Sequence, residues 1–125
     1  MNTPANLKYT KSDEWFDPAN GGMGITDYAQ SQLSDIVFVE ILVEVGETVE
    51  AGKAIASVES VKASAEIYAS AAGQVNAVNK GLSDKPETLN SDPFGEGWMV
   101  KVEGGSAGDV MDAAAYEKYC EGRAH

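Results

Sequence analysis

The chain has 125 residues, 43% of them hydrophobic and 23% charged, the composition of a folded globular protein rather than a disordered tail. Nine basic residues stand against twenty acidic ones, and a formal charge of -11 repels nucleic-acid phosphates and anionic lipid, which excludes both as partners. The length fits one domain, 1–125; the single Cys120 excludes an internal disulfide, and no metal-ligand spacing surrounds it.

"MNTPANLKYTK" holds neither the apolar core of a signal peptide nor an Arg-rich amphipathic pattern, and no run approaches the roughly 18 apolar residues of a membrane span. The expected setting is a reducing one: cytoplasm if the source is bacterial, mitochondrial matrix if a transit peptide has been removed. Thr26 is placed to cap a short helix, "DYAQSQLSD", with Asp27 at its positive end and Tyr28, Ala29 and Leu33 on one face. The most apolar stretch, "DIVFVEILVEVG" (35–46), reads as a pair of short strands interrupted by Glu40 and Glu44. "ETVEAGKAIASVES" and "SAEIYASAAGQVNAVNKG" continue in β-favouring runs punctuated by Gly46, Gly52, Gly73 and Gly81. The runs between Val45 and Gly81 echo each other about Lys62, as the halves of a pseudo-symmetric sandwich would. "LSDKPETLNSDPFGEGW" reads as an irregular loop because of its prolines and glycines, "WMVKVE" as a last strand, and Asp112 as the cap of a C-terminal helix, "AAAYEKYCE". That helix offers Ala113, Tyr116, Tyr119 and Cys120 at helical spacing for packing onto the sheets.

Within "VESVKASAEIY" (58–68), Lys62 interrupts a strand-like run. An amine with a pKa of about 10.4 stays protonated at neutral pH, and Glu59 and Glu66 nearby would favour the charged form, so nucleophilic amine catalysis is disfavoured. A lysine acylated by another enzyme needs something different, namely an exposed position on a stiff turn. Val58 and Val61 before it and Ala63, Ser64 and Ala65 after it supply a rigid, unobstructed tip. An amide there removes one positive charge and replaces a hydrated head with an apolar stem.

Four collinear segments, "YTKSDEW" (9–15), "GITDYAQSQLSDIVFVE" (24–40), "VESVKASAEIY" (58–68) and "NSDPFGEGWMVKV" (90–102), together resemble the H proteins of the glycine cleavage system. The resemblance implies a mainly β, lipoyl/biotinyl-type sandwich with short flanking helices, and lipoate amide-linked to Lys62, with Glu59, Ser60, Val61 and Ala63 as neighbours read by the lipoate ligase or lipoyl transferase. It further implies a non-catalytic carrier, monomeric when free, that moves the aminomethyl group of glycine among three enzymes. These are a pyridoxal-phosphate glycine decarboxylase, a folate-dependent aminomethyltransferase and a flavin-dependent dihydrolipoyl dehydrogenase. A loaded arm ends in a cationic amine for which carboxylates are the natural partners, and the family pattern nominates Ser12, Glu14 and Glu66 for a docking cleft. The alternative is an H-like carrier serving another lipoate-dependent pathway, such as sulfur-compound oxidation or lipoyl relay.

Two departures from the family pattern fall beside that expected cleft. Asp13 stands where such proteins usually carry His, and "FDPANGGMG" looks shorter and more turn-like, with Asn20-Gly21-Gly22 favouring a tight hairpin.

Overall fold

The computed structural model describes residues 2–104 and 106–123, so residues 1, 105, 124 and 125 of the expected single domain lie outside it. Among the described residues nine strands make two antiparallel sheets. The larger sheet contains β1 (Lys8–Tyr9), β2 (Glu14–Phe16), β3 (Gly22–Ile25), β9 (Val100–Glu103), β8 (Gly73–Val78) and β5 (Thr48–Val49), in that order. The smaller contains β4 (Ile36–Ile41), β6 (Ala54–Ser60) and β7 (Ser64–Tyr68). Met23, Ile25, Val49, Val75, Val100 and Val102 of the first sheet meet Ile36, Val39, Ile55, Val58 and Ile67 of the second in one buried core, as expected for a β-sandwich.

Between residues 48 and 74 the chain folds back on itself. Thr48 pairs with Gln74, Ala54 with Tyr68 and Glu59 with Ser64, so every pair is centred on Val61 or on the Val61–Lys62 bond. The outer pair, β5 and β8, lies in the larger sheet and the inner pair, β6 and β7, in the smaller. The internal echo in the sequence is therefore a nested hairpin with Lys62 at its turn.

"DIVFVEILVEVG" forms one strand, β4, rather than the expected two. A register shift between Ile36 and Phe38 turns both Val37 and Phe38 outward, and beyond Ile41 the chain leaves the ladder. The stretch expected to be irregular, residues 82–98, begins within a 3-10 turn (Lys80–Ser83) and holds a short helix, α2 (Thr88–Ser91).

The two expected helices form where their caps predict. Thr26 Oγ1 accepts from Ala29 N at the start of α1 (Asp27–Leu33), and Asp112 accepts from Ala115 N at the start of α3 (Ala113–Glu121). Tyr116 and Cys120 of α3 pack with Leu7, Tyr9 and Trp15 in a second buried cluster, apart from the main core. Tyr9 and Tyr116 stack with ring centroids 4.8 Å apart and planes inclined by 12°. Trp15 is fixed at both ends, its Nε1 donating to Pro93 O at 3.0 Å and its carbonyl accepting from Ser70 Oγ at 3.0 Å.

β2 and β3 form the hairpin that "FDPANGGMG" suggests, although its loop is longer than a two-residue turn: Asp17 N donates to Gly22 O, and Gly21 N to Asp17 O. Gly21 has φ +77°, and a Cβ there would lie 1.9 Å from Val102 O, so only glycine fits. Gly24 lies opposite Trp15, and a Cβ at Gly24 would come 3.1 Å from Trp15 Nε1.

Candidate functional site

Two features anticipated in the sequence, a presented lysine and a cleft with a carboxylate, lie at opposite ends of β7. At the near end, Val61, Lys62 and Ala63 join β6 to β7, and Ser60 organises the turn. Its Oγ accepts from Lys62 N (3.3 Å) and Ala63 N (3.1 Å) and donates to Ala63 O (3.1 Å), while Ser60 N also donates to Ala63 O (2.8 Å). Val61 N donates to Asp35 O at 3.0 Å, anchoring the turn to the chain entering β4. Lys62, Ala63 and Glu59 are exposed, and Val61 keeps 67% of its surface in water. Glu59 and Glu66 do not pair with Lys62; among the described residues the ion pairs are Lys53–Glu47 and Arg123–Asp13. A large apolar side chain, Val61, is thus exposed directly before the lysine, and a small one, Ala63, directly after it.

At the far end of β7 the Thr10–Glu14 turn, the Ala51–Gly52 turn and Tyr68–Ser70 surround a cleft of about 570 Å³. Glu14 forms part of its lining and is 1% exposed. Its Oε1 accepts from Thr10 Oγ1 and Ser12 Oγ, both at 2.6 Å, and its Oε2 accepts from Tyr68 N at 3.3 Å. Burial pushes the carboxyl above its ordinary pKa; the bonds from Ser12, Thr10 and Tyr68 pull the other way and do not cancel it, and Asp13 adds to the rise. Of the carboxylate's four acceptor sites, two on Oε1 and one on Oε2 are taken, so Oε2 can accommodate one further donor.

The structure brings Ser12 and Glu14 together but not Glu66. Glu66 pairs with Ser57 and is exposed on the face of β7 that also carries Ser64 and Tyr68, outside the residues lining the cleft. Asp13 also differs from expectation. It adopts φ +73° and does not line the cleft; its carboxylate turns toward the end of α3, accepting from Arg123 Nη1 (2.8 Å) and Nη2 (2.7 Å) and from Tyr116 Oη (2.9 Å). Thr10 and the Tyr68 amide were not anticipated. Thr10 is recognisable only as a hydroxyl four residues before an acid, and a backbone N–H leaves no trace in sequence.

A sandwich that holds an exposed lysine at the turn of a nested hairpin, with a carboxylate cleft along the same strand, defines a carrier-type domain. The chain belongs to the glycine cleavage H-protein family, matching the family described as "Glycine cleavage H-protein" over residues 7–123. It is 52% identical to the glycine cleavage system H protein of Deinococcus deserti over 118 residues, 94% of this chain and 97% of that one. It is 48% identical to that of Klebsiella pneumoniae, over 96% of this chain and 97% of the relative. The crystal structure of a glycine cleavage system H protein from Mycobacterium marinum superposes with a TM-score of 0.87 at 37% identity, covering 94% of this chain and 98% of the other. The lipoyl-carrier role in glycine cleavage expected from the four motifs thus holds at the level of the family. No helix among the described residues is long and apolar enough to cross a membrane.

Proposed function

We propose that Lys62 is the attachment point for lipoate, and that the chain is a non-catalytic carrier whose Ser12–Glu14 cleft receives the cationic end of the loaded arm. The observation that carries this reading is the exposed Lys62 in the turn of a hairpin whose nested pairs are centred on Val61 or on the Val61–Lys62 bond. The site fits the group: the amine is free of ion pairs among the described residues, the following Ala63 is small, and Ser60 fixes the turn through three hydrogen bonds. Bound there, lipoate supplies a disulfide that can take up an aminomethyl carbon and a dithiol that can be reoxidised.

The protein's own residues do the rest. From Ser64 to Tyr68 the outward face of β7 runs about 13 Å at roughly 3.3 Å per residue, a span comparable to an extended lysine bearing a medium-length acyl chain. That face leads from the tip, past Glu66, to the cleft. Ionised Glu14, held by Ser12 and Thr10, binds an ammonium there and excludes water from it. The partners implied are the decarboxylase, the aminomethyltransferase, the dihydrolipoyl dehydrogenase and the enzyme that lipoylates Lys62.

Intact-mass measurement after incubation with lipoate ligase, lipoate and ATP tests the attachment: one lipoyl increment is expected, absent in Lys62→Ala. Reconstitution of the lipoylated chain with glycine decarboxylase then tests the pathway. Lipoylation without support of carbon dioxide release from glycine would move this chain to another lipoate-dependent route.

A further inference from the structure

Asp13 lies between the two cleft residues Ser12 and Glu14, yet faces the other way. Its left-handed backbone, rarely adopted by a residue with a side chain, reverses the turn so that its neighbours line the cleft while its own carboxylate meets the C-terminal helix. Each polar atom that could hold this arrangement is engaged. Asp13 N donates to Thr10 O (3.1 Å), Thr26 N donates to Asp13 O (3.0 Å), and the carboxylate takes the two-pronged guanidinium of Arg123 with the Tyr116 hydroxyl.

Arg123 is itself clamped. Its guanidinium carbon lies 4.4 Å from the ring centre of Tyr28 on α1 and 4.6 Å from that of Tyr119 on α3. Tyr116 Oη also lies 2.7 Å from Thr26 Oγ1, the cap of α1, so one chain of hydroxyls joins both helices to Asp13. The end of α3 is thereby fastened to the turn that bears the cleft carboxylate, across 110 residues of sequence.

We propose that Asp13 and Arg123 are positioning residues for the cleft: their two-pronged ion pair fixes the left-handed turn that aims Ser12 and Thr10 at Glu14 and keeps Glu14 out of water. This rests on the reading of the Ser12–Glu14 cleft given above. A histidine at position 13 could not receive two parallel N–H bonds from a guanidinium, so an Arg123 clasp of this form depends on the aspartate found in this chain. The groups that set the behaviour of Glu14 are the Thr10 and Ser12 hydroxyls, the Tyr68 amide, the neighbouring Asp13 carboxylate, and Lys11 and Asp109, which also line the cleft.

The test follows the Glu14 side-chain carboxyl by carbon-13 NMR through a pH titration of the unlipoylated chain, in wild type and in Arg123→Met, Arg123→Lys and Asp13→Asn. Arg123→Met should lower the Glu14 midpoint toward the ordinary carboxylate range as the turn relaxes and water enters, although loss of a cation would by itself raise it. Asp13→Asn should lower it further, because it also removes the neighbouring charge. Arg123→Lys, which keeps the charge without the fork, should fall between wild type and Arg123→Met. Thermal melts establish that each variant is folded at the temperature of the titration. A Glu14 midpoint in Arg123→Met that equals or exceeds that of wild type would overturn the proposal. A separate measurement, the lifetime of the loaded arm in Glu14→Gln, decides the cleft reading. An unchanged lifetime there removes the cleft's role in binding while the NMR result still decides the clasp.

Discussion

The backbone N–H of Tyr68 donates to Oε2 of Glu14 at 3.3 Å, fastening the end of the lysine-bearing hairpin to the start of β2. A carboxylate so placed is almost wholly buried although it lines the cleft, and its raised pKa makes it a pH-dependent cost to folding. The folded state binds the Glu14 proton more tightly than the unfolded state does. Its contribution to stability is therefore fully present below the unfolded value of 4.5 and is lost as pH rises through the folded value. Glu14→Gln removes the charge but can still accept from Tyr68 N and hydrogen-bond the two hydroxyls. The variant is expected to gain stability relative to wild type as pH rises from 4 to 8, measured by urea denaturation across that range; a gap that stays flat with pH would contradict it.

Ser60 makes three of the hydrogen bonds that define the lysine turn. Ser60→Ala should cost only about 1 kcal/mol of global stability, because the turn is exposed. The rate of lipoylation of Lys62 should nevertheless fall several-fold as the tip loosens, read by mass spectrometry over a time course. An unchanged rate would show that the modifying enzyme imposes the turn itself.

Asn90 ties three segments together through its side chain. Its Oδ1 accepts from Ile36 N (2.9 Å), and its Nδ2 donates to Ser34 O (2.7 Å) and Gln30 Oε1 (3.0 Å), linking α2 to the end of α1 and the start of β4. Asn90→Ala is expected to cost about 2 to 3 kcal/mol, at roughly 1 kcal/mol per lost bond. Asn90→Asp should be worse, since it replaces the donor with an acceptor facing two acceptors. Calorimetric melting of the two variants checks both the size and the order.

Gly21 and Gly24 flank the same hairpin but fail differently when given a side chain. Gly21→Ala places Cβ against the Val102 carbonyl and adopts a left-handed backbone, so a loss above about 2 kcal/mol is expected. Gly24→Ala asks for shifts of a few tenths of an ångström in Trp15 and the Gly97 carbonyl, and a smaller loss, about 1 kcal/mol, is expected. Trp15 fluorescence would report the second change and equilibrium denaturation the first; equal losses would mean that the Val102 strand yields.

Much of the fold is legible locally. Thr26 and Asp112 sit directly before apolar-faced helical runs, and their side chains cap those helices as their chemistry dictates. The β4 region misleads because a register shift sets Val37 and Phe38 on the same side, which no alternation rule anticipates. α2 is missed because its four residues are supported by Asn90 reaching across to Ser34 and Ile36, not by any helical pattern of its own.

The site divides the same way. Lys62 stands out through its small neighbours, and Ser12 and Glu14 through a short motif, all within a few residues. The family pattern points to Glu66, four residues after the lysine, but Glu66 is exposed in the middle of β7, between the tip and the cleft and outside the cleft lining. The Asp13–Arg123 pair joins residues 110 apart, and only the tertiary fold brings them to 2.7 Å.

The constant centre of the hairpin has a kinetic consequence. Glu59 and Ser64 can meet after closing a loop of only a few residues, and each further pair out to Ala54 and Tyr68 adds little to the separation already closed. The segment can thus zip outward from the lysine, by the cheapest sequence of closures the chain offers, while the Asn90 and Arg123 links must wait for distant parts to arrive. The lysine turn is then an early landmark of folding, and the cleft a late one.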